Sequence, residues 1–471
     1  MQFMDKPIER RIESWDIQSP NHNYSFVMEK NTLVTKKGES FWNWRSRIAA
    51  YTNSIEDIDK EVIDTSESNR CIVLKFVHTN KANINHEEEK KEENDEIDFK
   101  QLYYNRPLEE LLTIVVTTSP IKSNPSTEVL EKTFETFVLG GHAFAFKCPK
   151  VVVCDGCRIL GDAVQGRGGK TQKISKKYSN AKQSLRNGIA TNDQAENYRL
   201  FKVGMNKLCA DAANNETSPF HNARVVELDD RHGYGFALRH ALYHEVKTPY
   251  VCVIQHDRTF MRRTPMEEVV RAMINKEHGD IKYVGISMRS NLSYRDIFIS
   301  KYGKSLGQEL LDMVIYPEEL KLDSSLYGPN GSSLHDIEVV GKLRKTLESI
   351  ASAYQHNIQC KSHTFETEEG KHQLSLTPTL YWYDNTHIVE TSHYRDYIFN
   401  PHYRMVARGG FVEDRLSPLI TRRVERLGLK KGHDKFKSYL LDDHSGYFFT
   451  GHLDGGSYIS QEEKDKLKKG T

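Results

Sequence analysis

The sequence predicts an α/β protein with a mostly parallel, Rossmann-like central sheet flanked by helices and preceded by an additional N-terminal segment. Three observations lead to this prediction. Apolar runs of strand length recur between residues 111 and 287, helical periodicity separates several of them, and Asp155 and Asp257 stand at the ends of two of these runs. Uninterrupted apolar runs are typical of strands that are buried on both faces of a sheet.

The first run, LLTIVVTTSP at 111–120, predicts the first strand of this sheet. Behind it, Asn124 can cap a helix that has Pro125 in its first turn. Apolar residues then follow at helical spacing: Leu130, Phe134 and Phe137. A strand followed by a helix is the repeating unit of a parallel sheet.

Four more strands follow from the same reasoning. KVVVCDG (150–156) and ARVVELDD (223–230) predict the second and third, and YVCVI (from 250) and IKYVGIS (281–287) predict the next two. Between the third and fourth runs the apolar positions fit an amphipathic helix that must end before Pro249: Tyr234, Ala237, Leu238, Ala241 and Leu242.

Composition excludes several classes of protein. The 471 residues include 66 Lys and Arg against 65 Asp and Glu, and this balance gives no support for nucleic-acid binding. No apolar run reaches the ~18 residues of a membrane span, so no transmembrane segment is expected. Seven cysteines, mostly scattered singly, fit reduced thiols in a cytoplasmic protein better than a disulfide framework.

Polar groups arrive together at two strand ends. Asp155 ends the second run, and Gln255, His256 and Asp257 end the fourth. One such end is ordinary turn chemistry. Two ends on parallel strands of one sheet converge on the crevice where α/β proteins bind ligands. The sequence therefore favours a binding site over a simple exit of the chain from the core.

The order of these motifs resembles that of inverting glycosyltransferases of family 2, which have the GT-A fold. The matching stretches are LLTIVVTTSP, VVVCDG, HGYGFALRHAL and YVCVIQHD, followed by ARGGFVED at 407–414. The strong part of the resemblance covers residues 110–290, and a shorter part covers 375–420. It does not cover the first 100 residues.

The composition and the resemblance together divide the chain into four parts, of which the resemblance covers the last two. They are an N-terminal segment of unknown role (1–82), a charged linker or loop (83–100), a donor-binding part (101–300) and an acceptor-binding, C-terminal part (301–471). The linker is dense in charge and nearly free of apolar side chains, so it cannot bury enough surface to order itself.

The resemblance also implies roles for individual residues. The donor, a nucleotide-diphospho-sugar and preferably a UDP-sugar, would contact residues at the strand ends and on one helix: Thr117, Asp155, Arg239, Gln255 and Asp257. The catalytic base would be Asp414, at the second position of its acidic pair, or Glu413. A carbohydrate or other hydroxyl-bearing acceptor would meet an aromatic and polar cluster: Trp382, Asp384, Asn385 and His387. Arg239 fits the solvent face of its helix equally well, and core packing explains Trp382 as simply.

One departure from the family pattern concerns the metal. Gln255 stands where an Asp-any-Asp motif has its first acid, so Asp257 is the only carboxylate there. Mn²⁺ or Mg²⁺ prefers oxygen ligands, and affinity falls as carboxylates are lost. His452 is a candidate completing ligand, with a surface histidine in a turn as the alternative.

Two other functions remain open. A non-catalytic nucleotide-sugar-binding or scaffolding protein would explain Gln255, although the intact Glu413-Asp414 pair argues against it. A sugar-1-phosphate nucleotidyltransferase has a similar sheet, but TTSPIKSNPST lacks the glycine-rich loop expected after the first strand.

Overall fold

The chain forms two compact units, Met1–Ile97 and Asp98–Thr471. A computed structural model describes residues 102–453 except 162, 166–170, 174–184, 186–187, 278, 289–290, 292–293, 323–326, 328–373 and 444–447. It also describes the backbone of four strands in the first unit. For residues 163–165 and 171–173 it likewise describes the backbone alone.

The first unit contains a four-stranded antiparallel sheet in the order β1-β2-β4-β3. Its strands are β1 (Tyr24–Glu29), β2 (Thr32–Lys37), β3 (Ile58–Val62) and β4 (Leu74–His78). The last of these overlaps the apolar stretch CIVLKFV at 71–77 of the sequence. The predicted linker at 83–100 lies outside the described residues.

The second unit is built from strands and helices that alternate along much of the chain. Its strands are β5 (Leu112–Thr118), β6 (Lys150–Cys154), β7 (Arg158–Ile159), β8 (Ala163–Gln165), β9 (Thr171–Lys173), β10 (Ile189–Ala190), β11 (Ala223–Glu227), β12 (Tyr250–Gln255), β13 (Arg258–Phe260), β14 (Tyr283–Ile286), β15 (Ser375–Pro378), β16 (His387–Glu390), β17 (Ser438–Asp442) and β18 (Thr450–His452). Its α-helices are α1 (Leu108–Leu111), α2 (Glu128–Glu135), α3 (Asn192–Ala212), α4 (Tyr234–His244), α5 (Met266–Asn275), α6 (Tyr294–Tyr302), α7 (Lys304–Asp312), α8 (Glu413–Leu427) and α9 (Leu429–His433).

An eight-stranded sheet in the order β11-β6-β5-β12-β16-β14-β17-β15 forms the centre of this unit. Strands β11, β6, β5 and β12 are mutually parallel, and β14 and β17 run in the same direction. Strands β16 and β15 run the opposite way. The predicted fold class, a mostly parallel Rossmann-like sheet flanked by helices, is confirmed.

Both faces of the sheet are buried, as the apolar runs predict. Successive residues of β5 point into different cores: Ile114 and Val116 belong to one, and Val115 belongs to the other. Helices α2, α3 and α5 supply the first core, and α4, α6 and α8 supply the second. No helix in the described part of the chain is long and apolar enough to cross a membrane.

The first predicted helix begins later than its sequence signal. The side-chain oxygen of Asn124 accepts a hydrogen bond from the backbone N–H of Ile121 at 2.8 Å, so it closes a turn before the helix instead of capping it. Helix α2 begins at Glu128, and a 3₁₀ turn at Thr136–Gly140 continues it. The prediction that Asn124 is the helix cap is therefore wrong.

A buried ion pair fastens the C-terminal segment to the residues that follow β13. Arg262 is fully buried and donates to both carboxylate oxygens of Asp443, at 2.6 and 2.9 Å. Its guanidinium also lies 3.6 Å from the ring centre of Phe449. Because Phe449 precedes β18, this pair helps to fix the strand that carries His452.

We expect Arg262→Ala to lower the free energy of unfolding by about 3–5 kcal/mol, because the buried Asp443 would lose both hydrogen bonds from the guanidinium group. Urea unfolding followed by circular dichroism measures the change. Arg199→Ala is the matched control, since Arg199 pairs with Glu196 on the exposed side of α3, and it should leave the midpoint unchanged. Equal midpoints for the two variants would contradict the assignment.

Candidate functional site

The carboxyl ends of the parallel strands bring four of the five residues predicted to bind the sugar donor, all but Arg239, to one edge of the sheet. Thr117 and Gln255 are paired in the register of β5 and β12, and both lie at the ends of their strands. Asp155 follows β6, which neighbours β5 on its other side. The backbone N–H of His256 donates to the carbonyl of Thr117 at 3.0 Å. The polar ends of the predicted strands thus lie side by side.

Asp155 anchors the start of helix α4. One carboxylate oxygen accepts from the backbone N–H of His232 at 2.7 Å, and the other accepts from that of Gly233 at 2.8 Å. Burial raises the pKa of Asp155, and these two N–H groups act against that rise. The side chain of Asp155 therefore holds the first turn of α4 in place, and its contact with the sugar donor stays a prediction.

Two glycine segments, distant in sequence, pack backbone to backbone beside Asp155. Gly233 has a φ of 76°, and a Cβ atom on it would lie 2.4 Å from the Cα of Gly409. The N–H of Gly235 donates to the carbonyl of Gly410 at 3.1 Å. The glycines of HGYG and of RGGF thus join helix α4 to the loop that leads into the acidic pair.

We expect Gly233→Ala to displace this loop and to lower both stability and activity, because the added methyl group meets backbone that cannot rotate away. Gly303→Ala is the matched control: Gly303 also has a positive φ, 87°, but a Cβ there would meet nothing within 4 Å. Thermal unfolding of both variants measures the difference. A loss at Gly233 no larger than that at Gly303 would show that the contact is unimportant.

Asp257 and His452 complete the group of polar side chains at this edge of the sheet. This group, which is called the strand-edge site below, comprises Thr117, Asp155, Gln255, Asp257 and His452. Strands β13 and β18 pair so that Arg258 lies opposite His452. This places the Nε2 atom of His452 3.0 Å from a carboxylate oxygen of Asp257, and Nε2 of His256 lies 4.0 Å from the same oxygen. Burial acts to raise the pKa of Asp257, but His256 and His452 hold it below its ordinary value. Asp257 is thus kept ionised.

The residues present fit a divalent ion only in part. Asp257 and His452 offer one carboxylate and one imidazole, and the described residues contain no group of three or more His, Cys, Asp or Glu side chains placed to hold an ion. Such a pair leaves several coordination positions for water or other oxygen ligands. Among the described residues, the pair therefore makes up part of a divalent-ion site and not a complete one.

Asp384 connects the strand edge to the acidic pair. Its backbone N–H donates to a carboxylate oxygen of Glu413 at 3.1 Å, while its own carboxylate accepts from the N–H of Glu413 at 2.9 Å. Its carbonyl accepts from Nε2 of Gln255 at 2.6 Å and from the hydroxyl of Tyr234 at 3.3 Å. Burial raises the pKa of Asp384 well above its ordinary value, and the nearby charge of Glu413 adds to the rise.

The two members of the acidic pair face different surroundings. Glu413, the first residue of α8, is half-buried against Asp384, and burial raises its pKa. Asp414 is exposed, and its carboxylate accepts from the backbone N–H of Phe411 at 3.0 Å. Glu413 therefore points toward the other site residues, whereas Asp414 closes the turn at the start of its own helix.

Two of the predicted acceptor residues lie inside the core. The side chains of Trp382 and His387 are 1% and 0% exposed, and both pack against the ring of Tyr283. Burial lowers the pKa of His387 to about 4, so its ring is neutral at physiological pH. In this conformation neither ring offers a face to a ligand, and Asn385, 9% exposed, has little surface to offer. These residues support the segment that carries Asp384.

Arg258 is the site residue that sequence reasoning missed. Burial lowers its pKa, and the charges of Asp257 and Glu413 are near enough to act against that effect. Arg258 directly follows Asp257 and lies opposite His452 in the pairing of β13 and β18, so its positive charge belongs to this edge of the sheet. Its position directly after Asp257 was the available signal, but the family pattern draws attention to the carboxylates alone.

Arg239 does not join this cluster. It lies on α4, whose sheet-facing side chains are Ala237, Leu238, Ala241 and Leu242. The guanidinium of Arg239 is instead on the opposite face, near the rings of Phe236 and Tyr243. Its predicted contact with the donor stays untested.

Comparisons with known proteins yield only remote structural likenesses. No family model matches the chain, and no curated protein matches it. Among solved structures, the 1–349 fragment of S. aureus TarS in complex with UDP-GlcNAc is 14% identical, with a TM-score of 0.21 over 38% of this chain and 34% of that one. A longer S. aureus TarS structure is 12% identical, with a TM-score of 0.29 over 76% of this chain and 42% of that one. The likeness thus spans less than half the length of either TarS chain, and similarity at this level carries no argument about function.

Proposed function

We propose that the protein is an inverting glycosyltransferase that moves a sugar from a nucleotide-diphospho-sugar to an acceptor hydroxyl. The observation that carries this proposal is the convergence of three kinds of group at the sheet edge. The ionised Asp257 with His452, the cation of Arg258 and the half-buried Glu413 lie where ligands bind in α/β sheets. The motif order in the sequence supports the same class.

The diphosphate leaving group gains negative charge as the glycosidic bond breaks. Arg258 would neutralise part of this charge, because a guanidinium stays protonated and this residue lies between Asp257 in the chain and His452 across the strand pair. Mn²⁺ or Mg²⁺ held by Asp257 and His452 would supply Lewis-acid stabilisation of the same phosphates. The donor proposed here is a UDP-sugar, with Thr117 and Asp155 near the nucleotide.

The acceptor hydroxyl must lose its proton as it attacks the anomeric carbon. Glu413 is the better-placed base, since it is half-buried against Asp384 among the other site residues and its raised pKa favours proton acceptance. Asp414, the residue preferred on sequence grounds, is exposed and lies in the turn at the start of its own helix. Direct in-line attack without a covalent sugar intermediate gives inversion.

The donor site is tested by calorimetry with UDP, GDP and their common sugars, with Mn²⁺ or Mg²⁺ and with a chelator. We expect one nucleotide class to bind, and to bind more weakly by at least tenfold after chelation or in Asp257→Asn. Glu109→Gln, a change on the surface of α1 away from the strand edge, is the control. Binding that needs no metal would assign charge neutralisation to Arg258. Absence of all nucleotide binding would favour the scaffolding alternative.

We expect Glu413→Gln to lower turnover by about 10²–10⁴-fold while nucleotide binding is kept, because the amide cannot accept the proton. Asp414→Asn should lower it much less. In the unmodified protein the rate should fall as the pH drops through the raised pKa of Glu413, since only the ionised carboxylate is a base. Transfer of labelled sugar, measured across pH, gives both results. A larger loss of turnover in Asp414→Asn than in Glu413→Gln would instead identify Asp414 as the catalytic base.

A further inference from the structure

Helix α4 has a second polar face, which the proposed glycosyl transfer does not use. A cavity of ≈ 320 Å³ opens on the side of the helix that is turned away from the sheet. Its lining comprises two arginines, three histidines and two aromatic rings, and contains no acidic residue. This volume is at the lower end of the range of about 300–1,000 Å³ for small-molecule sites. The cavity is therefore large enough for a small anionic compound.

The two guanidinium groups are the strongest feature of this cavity. Arg239, from the helix, and Arg408, from the loop before Gly409, both line it. Neither forms an ion pair with a carboxylate in the part of the chain that the structure describes, and Nε of Arg239 has no hydrogen-bond acceptor there. Unpaired guanidinium groups that converge on a cavity are typical of phosphate recognition.

The aromatic rings hold one of these cations in place. The guanidinium carbon of Arg239 lies 5.1 Å from the ring centre of Tyr243 and 5.6 Å from that of Phe236. Contact with the ring faces leaves the N–H edge of the guanidinium available to an anion. The hydroxyl of Tyr243 donates to the carbonyl of Arg395 at 3.1 Å, which fixes the ring itself.

Imidazole groups add hydrogen-bond donors around the same space. His240 and His244 are one helical turn apart, with ring centres separated by 4.6 Å. His232 lies at the start of the helix, where its Nδ1 atom donates to the carbonyl of Asp230 at 2.6 Å. Burial, and then the neighbouring His244, lower the pKa of His240. A neutral imidazole still offers one N–H group to a phosphate oxygen.

We propose that this cavity is a binding site for a phosphate-bearing small molecule, separate from the strand-edge site. The separation follows from the helix itself: residues 237, 238, 241 and 242 face the core, while Arg239 and its neighbours face outward. The two sites adjoin near His232, whose backbone binds Asp155, and along the segment from Arg408 to Glu413. The cavity is larger than a free phosphate ion needs, so a phosphate ester is the favoured ligand.

The test is calorimetry of the full chain with inorganic phosphate and with glucose 1-phosphate, in the presence of saturating UDP and in its absence. We expect glucose 1-phosphate to bind at least as tightly as inorganic phosphate, and to bind with UDP present. Arg408→Gln and Arg239→Gln should each weaken this binding at least tenfold. Arg426→Gln, which removes an exposed arginine at the end of α8, is the matched control and should have no effect.

Three results would overturn the proposal. The first is absence of binding by either phosphate compound, and the second is equal affinity in Arg408→Gln and Arg426→Gln. The third is complete displacement of both compounds by UDP, which would assign the phosphate contacts to the nucleotide site. Tighter binding of inorganic phosphate than of the ester would keep the site but identify free phosphate as its ligand. A protein that binds no UDP would contradict the proposed donor site and would leave the phosphate measurement valid.

Discussion

The carboxyl group of Asp384 is buried, and a buried carboxyl group costs free energy unless hydrogen bonds compensate for the water it has lost. It accepts from the backbone N–H at the start of α8, while Glu413 accepts in return from the N–H of Asp384. Acidic groups are also favoured at a helix N-terminus. This exchange fixes the distance between the segment that precedes β16 and the helix that carries the acidic pair. Because the carbonyl of Asp384 also receives Gln255 and Tyr234, strand β12 and helix α4 are bound to the same point.

This arrangement gives a physical reason for the departure at position 255. The amide of Gln255 donates to a carbonyl oxygen at 2.6 Å, and an ionised aspartate could not donate there. A carboxylate at 255 would instead face the carbonyl oxygen of Asp384 and lie near two further acidic groups, Asp257 and Glu413. With Gln255 in place of an aspartate, the site therefore has one acidic group fewer and gains the hydrogen bond from Gln255 to Asp384. Its remaining negative charge at Asp257 is balanced by His256, His452 and Arg258.

The sequence predicted the four neighbouring parallel strands β11, β6, β5 and β12 well. Each of them is an apolar run, because its side chains alternate between the two hydrophobic cores on either face of the sheet. It also placed Asp155 and Asp257 at one edge, since parallel strands share a direction. It could not predict the reversed strands β15 and β16, whose short runs resemble loops. Nor could it separate buried from accessible polar residues. Trp382 and His387 have the composition of a sugar site, yet their burial depends on Tyr283, about a hundred residues away in the chain. The prediction of a helix cap at Asn124 is wrong for a local reason. The side-chain oxygen of Asn124 accepts a hydrogen bond from Ile121, which precedes it in the chain, and not from the helix that follows.

Helix α4 contacts both the strand-edge site, through its first turn, and the cavity that Arg239 and Arg408 line, through its outer face. Its first turn is held by Asp155 on one side and by the backbone of Gly409 on the other. Its inner face is fixed in the core beneath the sheet edge. A helix constrained at its start and along one face can move little, so groups on its outer face keep a constant position relative to the acidic pair. The loop that carries Arg408 continues through Gly409 and Gly410 directly into Glu413. A ligand that drew Arg408 toward Arg239 would therefore act on the same short segment that positions Glu413, because the glycine contact with Gly233 leaves that segment little freedom to absorb the change.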